Sequence, residues 1–150
     1  MQVKRIDRSQ WQRFSRYHYL SHFHITAAKC YGAYIENELV GFCSVMRFPH
    51  PKLKNLIKVH RLVVYPDYQG LGIGMRLLEI VADNYIQHNQ FGIVTSSPQL
   101  IKSLNNSPKW GLINQGRFIG GGKNSHINGS KRTKNCDSRH RYTTSWRYKG

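Results

Sequence analysis

Three glycines at alternate positions, Gly70, Gly72 and Gly74, follow a few residues after the pair His60-Arg61. Glycines so spaced remove every Cβ from the concave side of a turn and let the chain take positive φ. Backbone N–H groups can then converge on an anion, with the positive end of a helix dipole behind them. A histidine titrates near neutrality, with an unperturbed pKa of about 6.5, so His60 can give or take a proton there. Together the two features describe an anion cradle beside acid–base chemistry.

The elements that must hold these residues are legible on either side. Ile57 to Tyr65 is β-branched and apolar, which favours a strand. Pro66-Asp67 ends it, because proline has no N–H for the ladder. After the turn, Ile73, Leu77, Ile80, Val81 and Tyr85 recur at helical spacing, with Arg76, Glu79 and Asp83 on another face. Strand alternation predicts that His60 and Arg61 point to opposite faces, one of them into the cleft. The alternative for His60 is a half-buried strand histidine held by a hydrogen bond.

Two phosphate cradles do not match. A P-loop needs Gly-Lys-Ser/Thr at the helix start, where this chain has Gly74-Met75-Arg76, and G-x-G-x-x-G needs glycine at Met75 or Leu77. Gln69, Gly72 and Gly74 do form Q-x-x-G-x-G directly after a strand containing Val63-Val64. This resembles the pyrophosphate-binding motif of the GNAT superfamily of N-acetyltransferases. The resemblance implies an α/β acyl-CoA N-acyltransferase fold, with a mixed central sheet flanked by helices. It also implies acetyl-CoA as acyl donor, its pyrophosphate on backbone amides of Gln69, Gly70, Leu71, Gly72, Ile73, Gly74 and Met75. Leu62, Val63 and Val64 would lend backbone groups to the acetyl carbonyl and pantetheine, and His60 would be the base. A chain that keeps the fold as a non-catalytic nucleic-acid-binding or protein-interaction module is the second reading.

One departure bears on mechanism. The family's thiolate-protonating tyrosine sits on the helix after the fifth strand, but the segment from Ser97 to Asn106 has no tyrosine, and the asparagine near that helix start is missing too. Ser96, Ser97 or Ser103 would have to shuttle the proton or bind pantetheine, although Ser97 before Pro98 also reads as a helix cap. His18-Tyr19 at the end of the first helix is a further constellation. With His60-Arg61 and the basic composition it resembles phage-type, Mom-like DNA-modifying GNAT-fold proteins, which would put His18 and Tyr19 on a nucleobase acceptor. Tyr19 packed under the helix, with His18 in solvent, is the alternative. His18, His22 and His24 have no enforced metal-ligand spacing, so no metal is expected.

Composition sets the setting. The 150 residues suit one domain with a real core, and 23 basic against 7 acidic residues give a formal charge of +16. Such a field attracts polyanions, which points to DNA or RNA as a partner beyond what binding one CoA requires. An acidic protein partner, or a merely solvated basic surface, is the alternative. Cys30, Cys43 and Cys136 are an odd number without C-x-x-C spacing, which argues against a disulfide framework and for a reducing cytoplasm. No apolar run reaches membrane-spanning length.

The rest of the chain supplies the frame. Asp7-Arg8-Ser9 reads as the cap of a first helix containing Trp11, Phe14 and Tyr17. Cys30 to Ile35 and Leu39 to Phe48 read as a hairpin turning at Glu36-Asn37-Glu38, making an antiparallel meander with Ile57 to Tyr65. Phe91 to Thr95 is a strand parallel to the last of these, reached by a helical crossover. A short helix follows with Leu100, Ile101 and Leu104 inward, then strand character at Leu112-Ile113 and Arg117-Phe118-Ile119. A basic loop, mobile by composition, is expected at about 120–140. Tyr142 to Tyr148 reads as a final strand paired near Phe91 to Thr95. Alternation puts Tyr142, Thr144, Trp146 and Tyr148 on one face of it, either stacked on exposed bases or buried. Lys52, Lys54 and Lys58 are a second basic segment placed to border the cleft.

Overall fold

The computed structural model describes residues 1–18, 24–117 and 142–150. Its centre is a seven-stranded sheet: β1 (Gln2–Ile6), β2 (Lys29–Ile35), β3 (Glu38–Arg47), β4 (Leu56–Val64), β5 (Gln90–Thr95), β6 (Trp110–Arg117) and β7 (Tyr142–Tyr148). The spatial order is β1-β2-β3-β4-β5-β7-β6. β1 to β4 run antiparallel, β4 and β5 are parallel, and β7 pairs antiparallel with both β5 and β6. The helices are α1 (Trp11–Phe14), α2 (Ile73–Asp83) and α3 (Pro98–Asn106). Mixed sheet and flanking helices match the expected fold class, and the final strand lies beside β5 as expected.

The β2–β3 hairpin turns through Glu36 and Asn37, whose φ values of 48° and 67° are both left-handed. That pair makes a two-residue turn whose twist suits the flanking strands. β1 has no counterpart in the sequence reading. Val3 and Ile6 are three apart rather than two, so no alternation marks it; the strand exists because β2 offers it an edge, from Gln2↔Tyr34 to Ile6↔Cys30.

The first helix is shorter than its apolar spacing suggests. The Asp7 carboxylate does cap it, accepting the Ser9 N–H at 2.8 Å. The segment then runs as a 3-10 turn (Arg8–Gln10), α1, and a second 3-10 turn (Ser15–Tyr17). Trp11 and Phe14 are buried, but Tyr17 is 36% exposed and does not face inward. Three residues per 3-10 turn rotate it off the stripe that an α-helix would keep.

Two apolar layers clothe the sheet. On one face α2 buries Ile73, Leu77, Leu78, Val81 and Ala82 against Cys43, Val45, Ile57, Phe91 and Ile93, with Leu104 of α3 in the same cluster. Leu78, not Ile80, completes that stripe. Each fully buried leucine there contributes about 1.5–3 kcal/mol. On the other face Trp11 and Phe14 pack on Cys30, Leu39, Phe42 and Val63. The aromatic face of β7 is the buried one: Thr144, Trp146 and Tyr148 are 2–4% exposed. Trp146 donates its Nε1–H to the Thr144 hydroxyl at 2.8 Å, and Tyr148 its O–H to Asp83 at 2.6 Å. Those two rings are core and anchor, and only Tyr142 is left exposed for stacking.

Candidate active site

β4 and β5 pair only over Leu56↔Gln90, Ile57↔Phe91 and Lys58↔Gly92. Beyond that point β4 continues to Val64 and β5 to Thr95, and among the described residues no strand pairs with the facing edges. The parallel strands part at their C-terminal ends, where an open α/β sheet places its ligand crevice. A cleft of about 660 Å³ opens there, bounded by Val59 to Val64, the glycine turn, α3, and Tyr17 and His18. Lys52, Lys54 and Lys58 do not line it. The Lys58 ammonium instead sits 4.0 Å above the Phe48 ring, at the end of β4 where β5 is still paired. The two lysines expected beside it are exposed in the connection before β4.

The register of β4 decides which side chains reach the cleft. Opposite β3, Arg61 pairs with Ser44 and Val59 with Val45, so His60 is an extra residue, a bulge. Ile57 and Val59 face the α2 layer; after the bulge the parity reverses, with Val63 in the α1 layer and Leu62 and Val64 against α2. Arg61 follows Val63: its guanidinium lies 5.9 Å from the Trp11 ring of the α1 layer. His60 reaches the same cluster, its ring 5.2 Å from that of His24, which is 5.5 Å from Trp11. The expectation that His60 and Arg61 point to opposite faces therefore fails, because a bulge suspends strand alternation where it occurs. Both residues line the cleft.

At the other end, Pro66–Tyr68 forms a 3-10 turn and Gln69 folds back, donating its Nε2–H to the Val64 carbonyl at 2.9 Å. Tyr68 donates its hydroxyl to Glu38 at 2.9 Å. The turn is thus tied to the ends of both β4 and β3. Gly70 and Gly72 have φ of 82° and 76°, a region that L side chains resist, and a Cβ on either would meet nothing within 4 Å. Gly72 is the N-cap of α2 and supplies no side-chain cap. The first helical bond runs from Arg76 N–H to the Gly72 carbonyl, so the N–H groups of Ile73, Gly74 and Met75 have no partner within the helix. No carboxylate lines the cleft among the described residues. Open space before converging amides, without an acidic neighbour, fits a pyrophosphate.

α3 enters with Ser97 as its cap, the hydroxyl accepting the Leu100 N–H at 3.5 Å. Ser103 donates its hydroxyl to the Gln99 carbonyl at 3.1 Å. Both serines line the cleft with their hydroxyls already engaged in the helix.

His60 has a defined state. Its Nε2 accepts the Ile25 N–H at 3.3 Å, so a neutral ring carries its proton on Nδ1. Burial, then Arg61, then His24 and His18 push its pKa down to about 4. Its ring is uncharged at neutral pH, and its lone pair is already engaged, which suits a hydrogen-bond donor better than a base. His24, whose pKa burial and Arg61 also lower, shares a 2.9 Å hydrogen bond with the fully buried Ser44 hydroxyl. His18 is at the cleft wall, its ring 5.7 Å from Trp11, whereas Tyr19 lies outside the described residues. Tyr17 lines the cleft unannounced, held edge-on 5.5 Å from Tyr65 with the Arg16 guanidinium 4.7 Å from its ring. Only the change of helix type after Phe14 marks it, and no residue pattern signals that change.

A model of the acetyltransferase (GNAT) family matches residues 2–122. The chain belongs to the GNAT acetyltransferase family. As a member of that family, this GNAT acetyltransferase takes acetyl-CoA as its acyl donor. Solved structures of GNAT fold resemble it over nearly its whole length. The ribosomal-protein-alanine N-acetyltransferase from Brucella melitensis is 11% identical over all of both chains, with a TM-score of 0.69. The ribosomal-protein-S18-alanine N-acetyltransferase from Escherichia coli is 12% identical over 98% of this chain and 92% of that chain, with a TM-score of 0.67. An acetyltransferase from Bacillus subtilis in complex with CoA is 12% identical over 99% of this chain and 98% of that chain, with a TM-score of 0.65. No curated protein sequence matches this GNAT chain. No helix among its described residues is long and apolar enough to cross a membrane.

Proposed function

We propose that this GNAT acetyltransferase moves the acetyl group of acetyl-CoA to an amine that is part of, or held beside, a nucleic acid in the cytoplasm. The observation that carries the transfer reading is the cleft where β4 and β5 part, with the glycine turn at one end and Tyr17, His18, His60 and Arg61 at the other. Amides from Gly70 to Met75 hold the pyrophosphate. The unpaired edge of β4 at Leu62, Val63 and Val64 aligns the pantetheine, although the Val64 carbonyl is already taken by Gln69. His60 offers Nδ1–H as a donor towards the acyl oxygen, and Tyr17 and His18 flank the acceptor. With no tyrosine on α3 and the hydroxyls of Ser97 and Ser103 engaged, the proton lost by the amine reaches the CoA sulfur through water or the Tyr17 hydroxyl.

The nucleic-acid half of the proposal rests on charge. A formal +16 far exceeds what one CoA requires, and the segment from Gly120 to Arg139 has Asp137 as its only carboxylate. That segment lies outside the described residues. The likeness to phage-type DNA-modifying proteins rests on sequence alone, and the similar structures add nothing to it. Binding to DNA and RNA measured across a salt series tests the reading. Affinity falling steeply with salt is the expected result, since each neutralised phosphate releases counterions. Deleting residues 121–139 should weaken that binding and spare CoA binding. No binding at low salt removes nucleic acid from the function.

A further inference from the structure

The sheet face opposite α2 carries a row of cations across β4, β5, β7 and β6. Ile57 and Val59, Phe91 and Ile93, and Trp146 and Tyr148 all belong to the α2 layer. Alternation therefore turns Lys58, Val94, Arg147 and Lys149 to the other side. The register lines up Lys58 of β4, Gly92 of β5, Arg147 of β7 and Gly111 of β6.

The two glycines shape this row. The Arg147 Nε lies 3.8 Å from the point where a Gly92 Cβ would stand, and the Lys149 Nζ lies 3.1 Å from the same point on Gly111. Each long side chain thus lies along the sheet, across the glycine of a neighbouring strand. Arg147 leans over β5 towards Lys58, whose ammonium is held 4.0 Å from the centre of the Phe48 ring. Burial, then the charge of Arg147, lower the Lys58 pKa from its ordinary value. Like charges set beside one another cost stability, and an anion placed between them removes that cost.

The row also leads to the cleft. Val94 stands two residues beyond Gly92 on the same face, is 48% exposed, and lines the cleft wall. Two residues of strand span only about 7 Å. A phosphate chain resting on the cations would therefore pass the mouth of the cleft at Val94. A single strand can turn a base into that mouth, whereas a base stacked in a duplex does not reach an enclosed site.

With the nucleic-acid reading above as its basis, we propose that this face binds a single-stranded nucleic acid, its phosphates on Lys58, Arg147 and Lys149, and presents one base past Val94 to the acetyl-transfer cleft. The cations meet phosphates and not base edges, so they position the strand without selecting its sequence.

Fluorescence anisotropy of a labelled single-stranded DNA oligonucleotide, and of the duplex of the same sequence, tests this across a salt series. The single strand should bind at least fivefold more tightly than the duplex. Lys58→Gln/Arg147→Gln should lower single-strand affinity at least tenfold at low salt. It should also reduce the salt slope by roughly one to two, as loss of two phosphate contacts requires. Lys149→Gln, at the exposed end of the row, should weaken binding about threefold and gives a reading independent of the half-buried pair. Lys4→Gln/Arg13→Gln removes two charges from exposed positions on β1 and α1 and should change affinity less than twofold. CoA binding by calorimetry should stay within twofold in every variant, which shows that the fold is intact. Equal losses in the two double variants would reduce the effect to net charge and overturn the surface alone. A duplex bound as tightly as the single strand overturns the choice of a single strand. Natural protein that binds CoA but no nucleic acid at low salt overturns the nucleic-acid reading on which the surface rests.

Discussion

His60 and Arg61 are consecutive in β4, yet both side chains line one cleft, because His60 is the unpaired residue of a bulge between Ser44 and Val45 of β3. The extra residue spreads two positions over one register step, so Arg61 lands opposite Ser44 and beside Trp11. The crowding has an electrostatic consequence. Arg61, His24 and His18 each disfavour a proton on a ring that is already partly out of water.

Stability should therefore depend on pH through His60. Its folded pKa of about 4 lies below the ordinary 6.5, so the unfolded chain holds more protons between those values. The stabilisation is fully present above pH 6.5 and is lost as pH falls towards 4. The full shift corresponds to about 3 kcal/mol, and solvent screening of the half-exposed ring reduces this to roughly 1–2 kcal/mol. Urea unfolding at neutral pH and in mild acid should show His60→Gln losing less stability on acidification than the natural protein. Equal losses would mean that His60 titrates as it does in water.

The rate profile follows from the same relation. A ring with its pKa near 4 does not change charge between pH 6 and 7. His60→Ala should lower kcat by roughly 10²-fold or more through loss of a hydrogen-bond donor, without moving any inflection of the kcat/KM profile in that range. An inflection near neutrality that disappears in the variant would make His60 the base after all.

Gly72 separates backbone strain from ligand space. Alanine there is forced into the left-handed region and should cost about 1–2 kcal/mol of stability. Asparagine tolerates that region and should cost less. Either side chain projects into the open space before the α2 N-terminus, so both variants should lose CoA affinity by about tenfold or more. Denaturant titration and calorimetry read the two effects separately. CoA binding unchanged in Gly72→Asn would move the cradle elsewhere.

Gln69 should behave as a tie. Its amide bond to the Val64 carbonyl joins the turn to the end of β4, and one such bond contributes about 1 kcal/mol. Gln69→Ala should soften the turn and weaken CoA severalfold, with little effect on the nucleic-acid salt slope. An unchanged CoA affinity would show that Tyr68 and Glu38 alone hold the turn.

The local features of this chain were set down by its sequence. The glycine spacing from Gly70 to Gly74 requires a turn with positive φ, and the apolar period after it requires a helix, because both depend on neighbours within a few residues. The meander, the parallel strand and the family resemblance follow from the same local patterns. What needed the tertiary structure depends on partners far along the chain. β1 forms because β2 offers an edge, and the face of Trp146 and Tyr148 is settled by β5, α2 and Asp83. The bulge at His60 exists only in the register between β4 and β3. Strand alternation is a rule of one strand, whereas register belongs to two, so no reading of β4 alone could place His60 and Arg61 on the same side of the cleft.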